Sequence, residues 1–215
     1  VPLDAELAAT MRGTINLLFV GRVSPHKGHK RLLRVASLYK SLYGTDVRLT
    51  IVGGLDDQLG IYYRELRKEI AARRLDGRVF FTGKVTPSQL KTFYKSADVF
   101  LCVSEHEGFC VPLVEAMRLG VPIVAYADCA VGSTLGEHPF CWKNPDPFLA
   151  AESIREILEN REVRAQLIRF QHERYNELYT PRAIGQRFEQ AINRLLPTGA
   201  ADSKDAAHER RLQFA

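Results

Sequence analysis

The sequence predicts an α/β fold, a parallel sheet with helices on both faces, and three observations carry that reading. Short apolar runs of strand length recur up to residue 142. Most are almost continuously apolar rather than alternating, as strands buried on both faces should be. Each of the first four is followed, after a short loop, by apolar residues at helical spacing or by a proline-opened segment. Strand–helix alternation of this kind builds a parallel sheet joined by right-handed crossovers. Ligands of such sheets bind outside the carboxyl ends of the strands.

The first strand is Ile15–Val20, closed by Gly21, and the helix after it carries Leu32, Val35, Ala36 and Tyr39 on one face. Val47–Val52 is the second strand, ending at Gly53-Gly54, and its helix shows Leu59, Tyr62, Tyr63, Leu66 and Ile70. Val79–Phe81 is a short third strand. Pro87 opens the next helix near its first position, where a missing N–H costs nothing. Residues 98–103 are the fourth strand, Pro112–Leu119 its helix, residues 121–125 the fifth strand and residues 140–142 a sixth. Three helices follow. Pro147 starts the first, with Ala150, Ile154, Ile157 and Leu158; Val163, Leu167 and Phe170 mark the second; Ile184, Phe188, Ile192 and Leu195 mark the third. Residues 1–14 read as a leader or interdomain linker, 15–196 as one domain, and 197–215 as a mobile tail of small and charged residues with little periodicity.

The chain has 215 residues, 46% of them hydrophobic, enough for one domain with a substantial core. A net charge of +5 fits an anionic ligand or surface. No basic stripe carries interleaved aromatics, which argues against nucleic acid. No apolar run approaches the roughly 20 residues that span a membrane, and residues 1–14 hold no signal-peptide core. Cys102, Cys110, Cys129 and Cys141 form no C-x-x-C pair and no His-x-His accompanies them, so reduced thiols in a cytoplasmic protein are expected and a metal site is not. The chain begins at Val1, which fits either removal of methionine or excision from a longer protein.

Four strand-end loops contain the residues of chemical interest. Gly21-Arg22-Val23-Ser24-Pro25-His26-Lys27-Gly28 follows the first strand. Its glycines permit a tight turn, and the helix after it offers free N–H groups and a positive dipole end. Arg22 and Lys27 add two cations, suited to a diphosphate; a plain strand–helix loop with solvated cations is the bland alternative. The spacing matches neither a Walker loop nor G-x-G-x-x-G. Ser104 to Pro112 follows the fourth strand and contains Glu107; Glu115 lies in the helix beyond, seven residues separating the two. Each carboxylate suits a vicinal diol, one on a sugar ring and one on a ribose, with the amides of Gly108 to Val111 holding phosphate between. Taken alone, Glu115 reads more simply as a first-turn residue complementing the helix dipole. The loops Gly53–Asp57 and Gly83–Pro87 could wall a base pocket, though glycine and proline after strands usually just mark turns.

In order, G-R-x-x-x-x-K-G, V-G-G, F-x-G-x-V, E-x-G-F-x-x-P-x-x-E-A-M and G-V-P-I-V-A resemble the C-terminal domain of family 4 retaining glycosyltransferases, over roughly residues 15 to 195. That resemblance implies a GT-B architecture, in which two Rossmann-like domains face a cleft, and a metal-independent transfer without cofactor. It implies that Arg22 and Lys27 hold the donor diphosphate, that Glu107 binds a sugar hydroxyl and Glu115 the ribose. Catalysis would rest on Arg22, Lys27 and Glu107. Gly21, Gly54, Val85 (through its backbone, on the base), Gly108, Phe109, Cys110 and Val111 would complete the donor site. Two departures stand out. Cys110 occupies a position where the family most often has glycine, and residues 131–136 lack the family's Pro-Glu pair. The acceptor-binding N-terminal domain is absent, so the chain reads as half of a larger enzyme.

The resulting expectation is transfer of a hexose from an NDP-sugar, GDP-mannose or a UDP-hexose, to a glycan or lipid-linked acceptor. The wording around Phe109–Leu113 favours GDP-mannose, and the full-length protein has room for peripheral membrane association at the inner face. A GT-B nucleotide-sugar epimerase half is the runner-up, although no acid–base constellation is evident. A non-catalytic nucleotide-sugar-binding module is the third reading.

Overall fold

The computed structural model describes residues 1–55 and 60–196. Leu59, Asp56, Asp57 and the 197–215 tail lie outside the described residues. Six strands, β1 (Ile15–Val20), β2 (Val47–Val52), β3 (Val79–Gly83), β4 (Val99–Cys102), β5 (Ile123–Tyr126) and β6 (Cys141–Trp142), form one sheet in the order β3-β2-β1-β4-β5-β6. Every adjacent pair is parallel. The strand order reverses between β1 and β4, so the crevice beyond these two strands is where such a sheet places its ligand.

The helices are α1 (Ala5–Thr10), α2 (His29–Tyr43), α3 (Gly60–Ala72), α4 (Pro87–Ser96), α5 (Val111–Leu119), α6 (Ala130–Leu135), α7 (Pro147–Glu159), α8 (Arg161–Leu178) and α9 (Pro181–Leu195). The chain divides into two compact units, Val1–Tyr175 and Asn176–Ala215, a boundary some twenty residues before the one the helical periodicity suggests. The first unit holds the sheet. Its core joins Leu17, Phe19, Leu49, Ile51, Val99 and Leu101 of the strands to Leu32, Val35, Ala36 and Tyr39 of α2 and Ile154 and Ile157 of α7. The expected faces of α2 and α7 are thus the buried ones. In the second unit, Thr180 caps α9 by accepting from the Ala183 amide. The periodic residues of α9, Ile184, Phe188, Ile192 and Leu195, are exposed, so its periodicity reports an amphipathic helix rather than a core one.

Three local features differ from the sequence reading. Residues 1–14, expected as a leader or linker, contain α1. Asp4 caps it by accepting from the Leu7 amide, and the Asp4 amide donates to Thr92 Oγ1 of α4 at 2.8 Å. Residues 130–135, expected as loop, form α6. The helix expected from Pro112 begins at Val111, with the proline second. Glu115 is therefore its fifth residue, in the second turn, where the dipole role expected of a first-turn carboxylate fades.

Two buried histidines are built into the first unit. His29, fully buried at the start of α2, packs edge-on against Phe19. His138 accepts from the Phe140 amide at Nδ1 and sits 3.3 Å from Gln171 Oε1. Gln171 in turn accepts from the Ile123 amide and donates to the Val121 carbonyl, tying α8 to the start of β5. Burial pushes each imidazole pKa down from 6.5 to about 4. Because the unfolded chain binds these protons at higher pH than the folded one, both contributions are intact above pH 6.5. They are lost as pH falls toward 4, by up to about 3 kcal/mol each. Urea-unfolding free energies should therefore decline between pH 6.5 and 4.5; a flat profile over that window would contradict the assignment of both rings as buried and neutral.

Candidate donor site

Chain geometry brings the loops after β1 and β4 into contact. Gly28 closes the first loop with φ +70°, and a Cβ there would lie 2.2 Å from the Val103 carbonyl oxygen. Only glycine permits both the left-handed backbone and that approach. Gly53, at φ +153°, packs similarly against the carbonyl of Gly21. The Glu105 amide donates to the His26 carbonyl at 2.8 Å, and the Val23 amide to the Gly54 carbonyl at 3.0 Å. The loops after β1, β2 and β4 thus form one connected rim at the reversal point.

On this rim Lys27 Nζ lies 2.8 Å from both Glu107 carboxylate oxygens. The pair is mostly buried, with side chains 17% and 9% exposed. Two of the three ammonium protons are used and one remains for an anion; the carboxylate keeps acceptor capacity for hydroxyls. The pair is neutral overall, so net positive charge for a phosphate comes from elsewhere. Arg22, exposed on the same loop, is one source. The start of α5 is another: the amides of Gly108, Cys110 and Val111 donate to no other described residue.

Arg31, which the sequence reading passed over, braces the rim from α2. Its guanidinium lies 3.3 Å from Glu105 Oε1 and 3.2 Å from Asp128 Oδ2, joining the loops after β4 and β5. Its expected neighbours are solvent when read along the helix alone; only the fold supplies the two carboxylates. Residues 131–136, whose contribution the sequence left in doubt, support the rim through Thr134, whose hydroxyl donates to the Phe109 carbonyl at 2.9 Å.

Glu115 occupies a different setting. Its Oε2 accepts from the buried Tyr94 hydroxyl at 2.8 Å, which also lies 3.2 Å from the Pro112 carbonyl. Tyr94 stacks on Phe100 of β4, so the carboxylate is positioned from the core. Burial, reinforced by the adjacent carboxylate, holds the Tyr94 phenol far above its ordinary pKa and keeps it a donor. Glu115 lines a groove of about 650 Å³ between α4 and α5, with Pro87, Leu90 and Tyr94 on its wall. Val85, half-buried, lies two residues before Pro87. A second concavity, of about 490 Å³, lies beside the first loop and includes Gly28, Arg31, Tyr62 and Glu105. Neither takes in Lys27 or Glu107, while Gly108, Phe109 and Val111 beside them are exposed.

Cys110 has φ +61° and ψ +65°, a left-handed conformation that costs a non-glycine residue about 1–2 kcal/mol. This is the backbone reason a glycine would be at home there. Its sulfur is 3.8 Å from that of Cys102, so the cysteines, unpaired by spacing, are paired in space. Cys129 is exposed, 3.4 Å from His106 Nδ1.

The parallel sheet, its strand order and its flanking helices define a Rossmann-like domain. The chain belongs to the glycosyl transferases group 1 family, whose model matches residues 11–174. D-inositol 3-phosphate glycosyltransferase of Corynebacterium efficiens is 30% identical over 172 residues, covering 78% of this chain and 38% of that protein. A GDP-mannose-dependent alpha-mannosyltransferase of Mycolicibacterium smegmatis is 34% identical over 108 residues, covering 50% and 24%. The chain thus spans well under half the length of these curated relatives. Among solved structures, the C-terminal domain of a glycosyl transferase group 1 protein from Francisella tularensis aligns with a TM-score of 0.70 at 16% identity, covering 84% of this chain and 95% of that one. Anabaena HepE, in complex with UDP and glucose, aligns with a TM-score of 0.75 at 20% identity, covering 89% and 53%.

Proposed function

We propose that this chain binds the nucleotide-sugar donor of a retaining, metal-independent hexosyltransferase and needs no cofactor. The observation that carries the proposal is the Lys27–Glu107 pair on the rim where the strand order reverses, with Glu115 set apart in a groove of its own. The base and ribose occupy the groove, where Glu115 accepts from the ribose diol and Pro87 and Leu90 offer apolar surface. The diphosphate lies across the start of α5, against its free amides, Arg22 and the remaining proton of Lys27. The hexose reaches Glu107, whose carboxylate accepts from a sugar hydroxyl. As the anomeric carbon–oxygen bond breaks, negative charge grows on the departing diphosphate, and fixed cations and amides there stabilise the transition state more than the ground state. The acceptor hydroxyl oxygen, on a glycan or lipid-linked substrate, forms the new bond to the anomeric carbon, and its proton passes to the departing diphosphate oxygen. Retention and metal independence rest on the resemblance of the donor residues to those of family 4 enzymes; cytoplasmic placement of the reaction rests on reading the four cysteines as reduced thiols. Mannose is favoured among hexoses, supported by the likeness to the GDP-mannose-dependent relative.

Separate substitutions test the assignment of the two ends. Glu115→Gln should weaken free nucleoside diphosphate and nucleotide-sugar alike, by about 1–3 kcal/mol for a charge-assisted contact. Glu107→Gln releases Lys27 toward the phosphates, so free diphosphate should bind as well as before or more tightly, while the sugar-bearing donor binds less well. Calorimetry with UDP, GDP and their hexose conjugates reads both. Equal losses for free diphosphate in the two variants would show the ends assigned wrongly.

A further inference from the structure

Cys102, at the end of β4, and Cys110, capping α5, are separated by the loop that carries Glu107. Both thiols are buried, their sulfurs 3.8 Å apart. A carboxylate oxygen of Glu107 lies with them, all three atoms within 4.8 Å of one another. Two sulfur ligands at about 2.3 Å from a tetrahedral zinc ion stand about 3.8 Å apart, and a sulfur and a carboxylate oxygen about 3.5 Å. The thiols therefore already stand at the spacing of a bound pair, and the carboxylate needs to close by about 1.3 Å at most. Two core thiols in ordinary contact would show the same sulfur separation; what a core pair lacks is a carboxylate beside it. Charge also balances. Two thiolates, one carboxylate and a divalent cation sum to −1, and Lys27, on the same carboxylate, brings the total to zero.

We propose that Cys102, Cys110 and Glu107 bind a thiophilic divalent cation of the zinc type, with water as fourth ligand, and that this cation competes with the nucleotide-sugar. Binding releases both thiol protons to solvent, since only thiolates ligate. A cation there takes Glu107 from the sugar and pins Cys110 against β4, holding the start of α5 in place. The competition, though not the metal site, rests on the donor reading above. It differs from a catalytic metal in sign, because occupancy opposes donor binding.

The experiment uses the whole 215-residue chain, reduced, in a Cys129→Ser background so that the exposed Cys129–His106 pair takes no part. Titration with Co²⁺ should give one equivalent of binding, with a near-ultraviolet thiolate charge-transfer band and intense visible bands of a tetrahedral site. Zn²⁺ should displace it. Cys110→Ser should weaken binding at least about tenfold and remove part of the charge-transfer intensity, and Cys141→Ser should change neither. Cys110 lies nearer the surface than Cys102, so it is the safer position for folding, and the cobalt spectrum of the unsubstituted pair reports thiolate ligation without any variant there. Absence of the charge-transfer band, or Zn²⁺ affinity unchanged in Cys110→Ser, would overturn the site. Stoichiometric metal binding that leaves UDP-hexose and GDP-mannose affinities untouched would overturn the competition and count against Glu107 as the sugar ligand, while the metal site stood.

Discussion

The chain by itself should bind a nucleoside diphosphate and its sugar conjugate yet transfer no sugar to an acceptor, with turnover lower than that of the longer enzyme by many orders of magnitude. The residues proposed to bind the donor lie on the loops after β1 and β4 and on α5 of the first unit, and the matched segment corresponds to 38% of the Corynebacterium efficiens relative. Gly108, Phe109 and Val111 at the start of α5 are exposed. Bringing an acceptor hydroxyl to the anomeric carbon in line, with water excluded, can supply about 7–11 kcal/mol of a bimolecular barrier. Holding the diphosphate on Arg22, Lys27 and the α5 amides does not replace that share. A radiolabelled transfer assay on this chain and on the full-length protein reads the difference, and comparable turnover would show that acceptor positioning is built into these residues alone.

Lys27→Ala should have the largest effect of any single substitution in the site, because it acts twice. It removes a cation from the diphosphate, at about 1.5–3 kcal/mol for a charge-assisted hydrogen bond. It also leaves the Glu107 carboxylate, 9% exposed, without its partner, and an uncompensated, mostly buried charge destabilises the fold by up to about 3 kcal/mol. Arg22→Ala supplies the contrast. Arg22 is exposed, so its loss should reduce nucleotide affinity to a similar degree with little change in unfolding temperature. Adding Glu107→Gln to Lys27→Ala should restore part of the lost stability and none of the lost affinity. Calorimetry and thermal unfolding separate the two effects; unchanged affinity in both single variants would remove these cations from the diphosphate site.

The sequence places most of the proposed donor residues in loops after strand ends, and strand ends are what apolar runs mark; Glu115, inside α5, is the exception. Gly28 was legible for the same reason, and the structure shows the close approach to Val103 that requires it. What could not be read were partnerships between distant segments. Lys27 and Glu107 are eighty residues apart, and only the reversal of strand order between β1 and β4 makes them neighbours. Cys102 and Cys110 lack metal-site spacing, and a left-handed residue at Cys110 accompanies their pairing. Arg31 looks like an ordinary helix cation until Glu105 and Asp128 arrive from two other loops. Residues 130–135 carry little helical periodicity, so α6 was missed, and the position of Glu115 shifted because the helix begins one residue before Pro112. The periodicity of α9 marks a helix, as the structure has it, but an apolar stripe says only that a face is amphipathic and not what lies against it.

Equilibrium titration of the chain with UDP and with GDP, followed by calorimetry, tests the donor-site account most directly. It predicts saturable binding of one nucleoside diphosphate per chain, weakened by Lys27→Ala and by Glu115→Gln. No binding of either diphosphate at millimolar concentration, by a chain whose unfolding transition shows it folded, would contradict it.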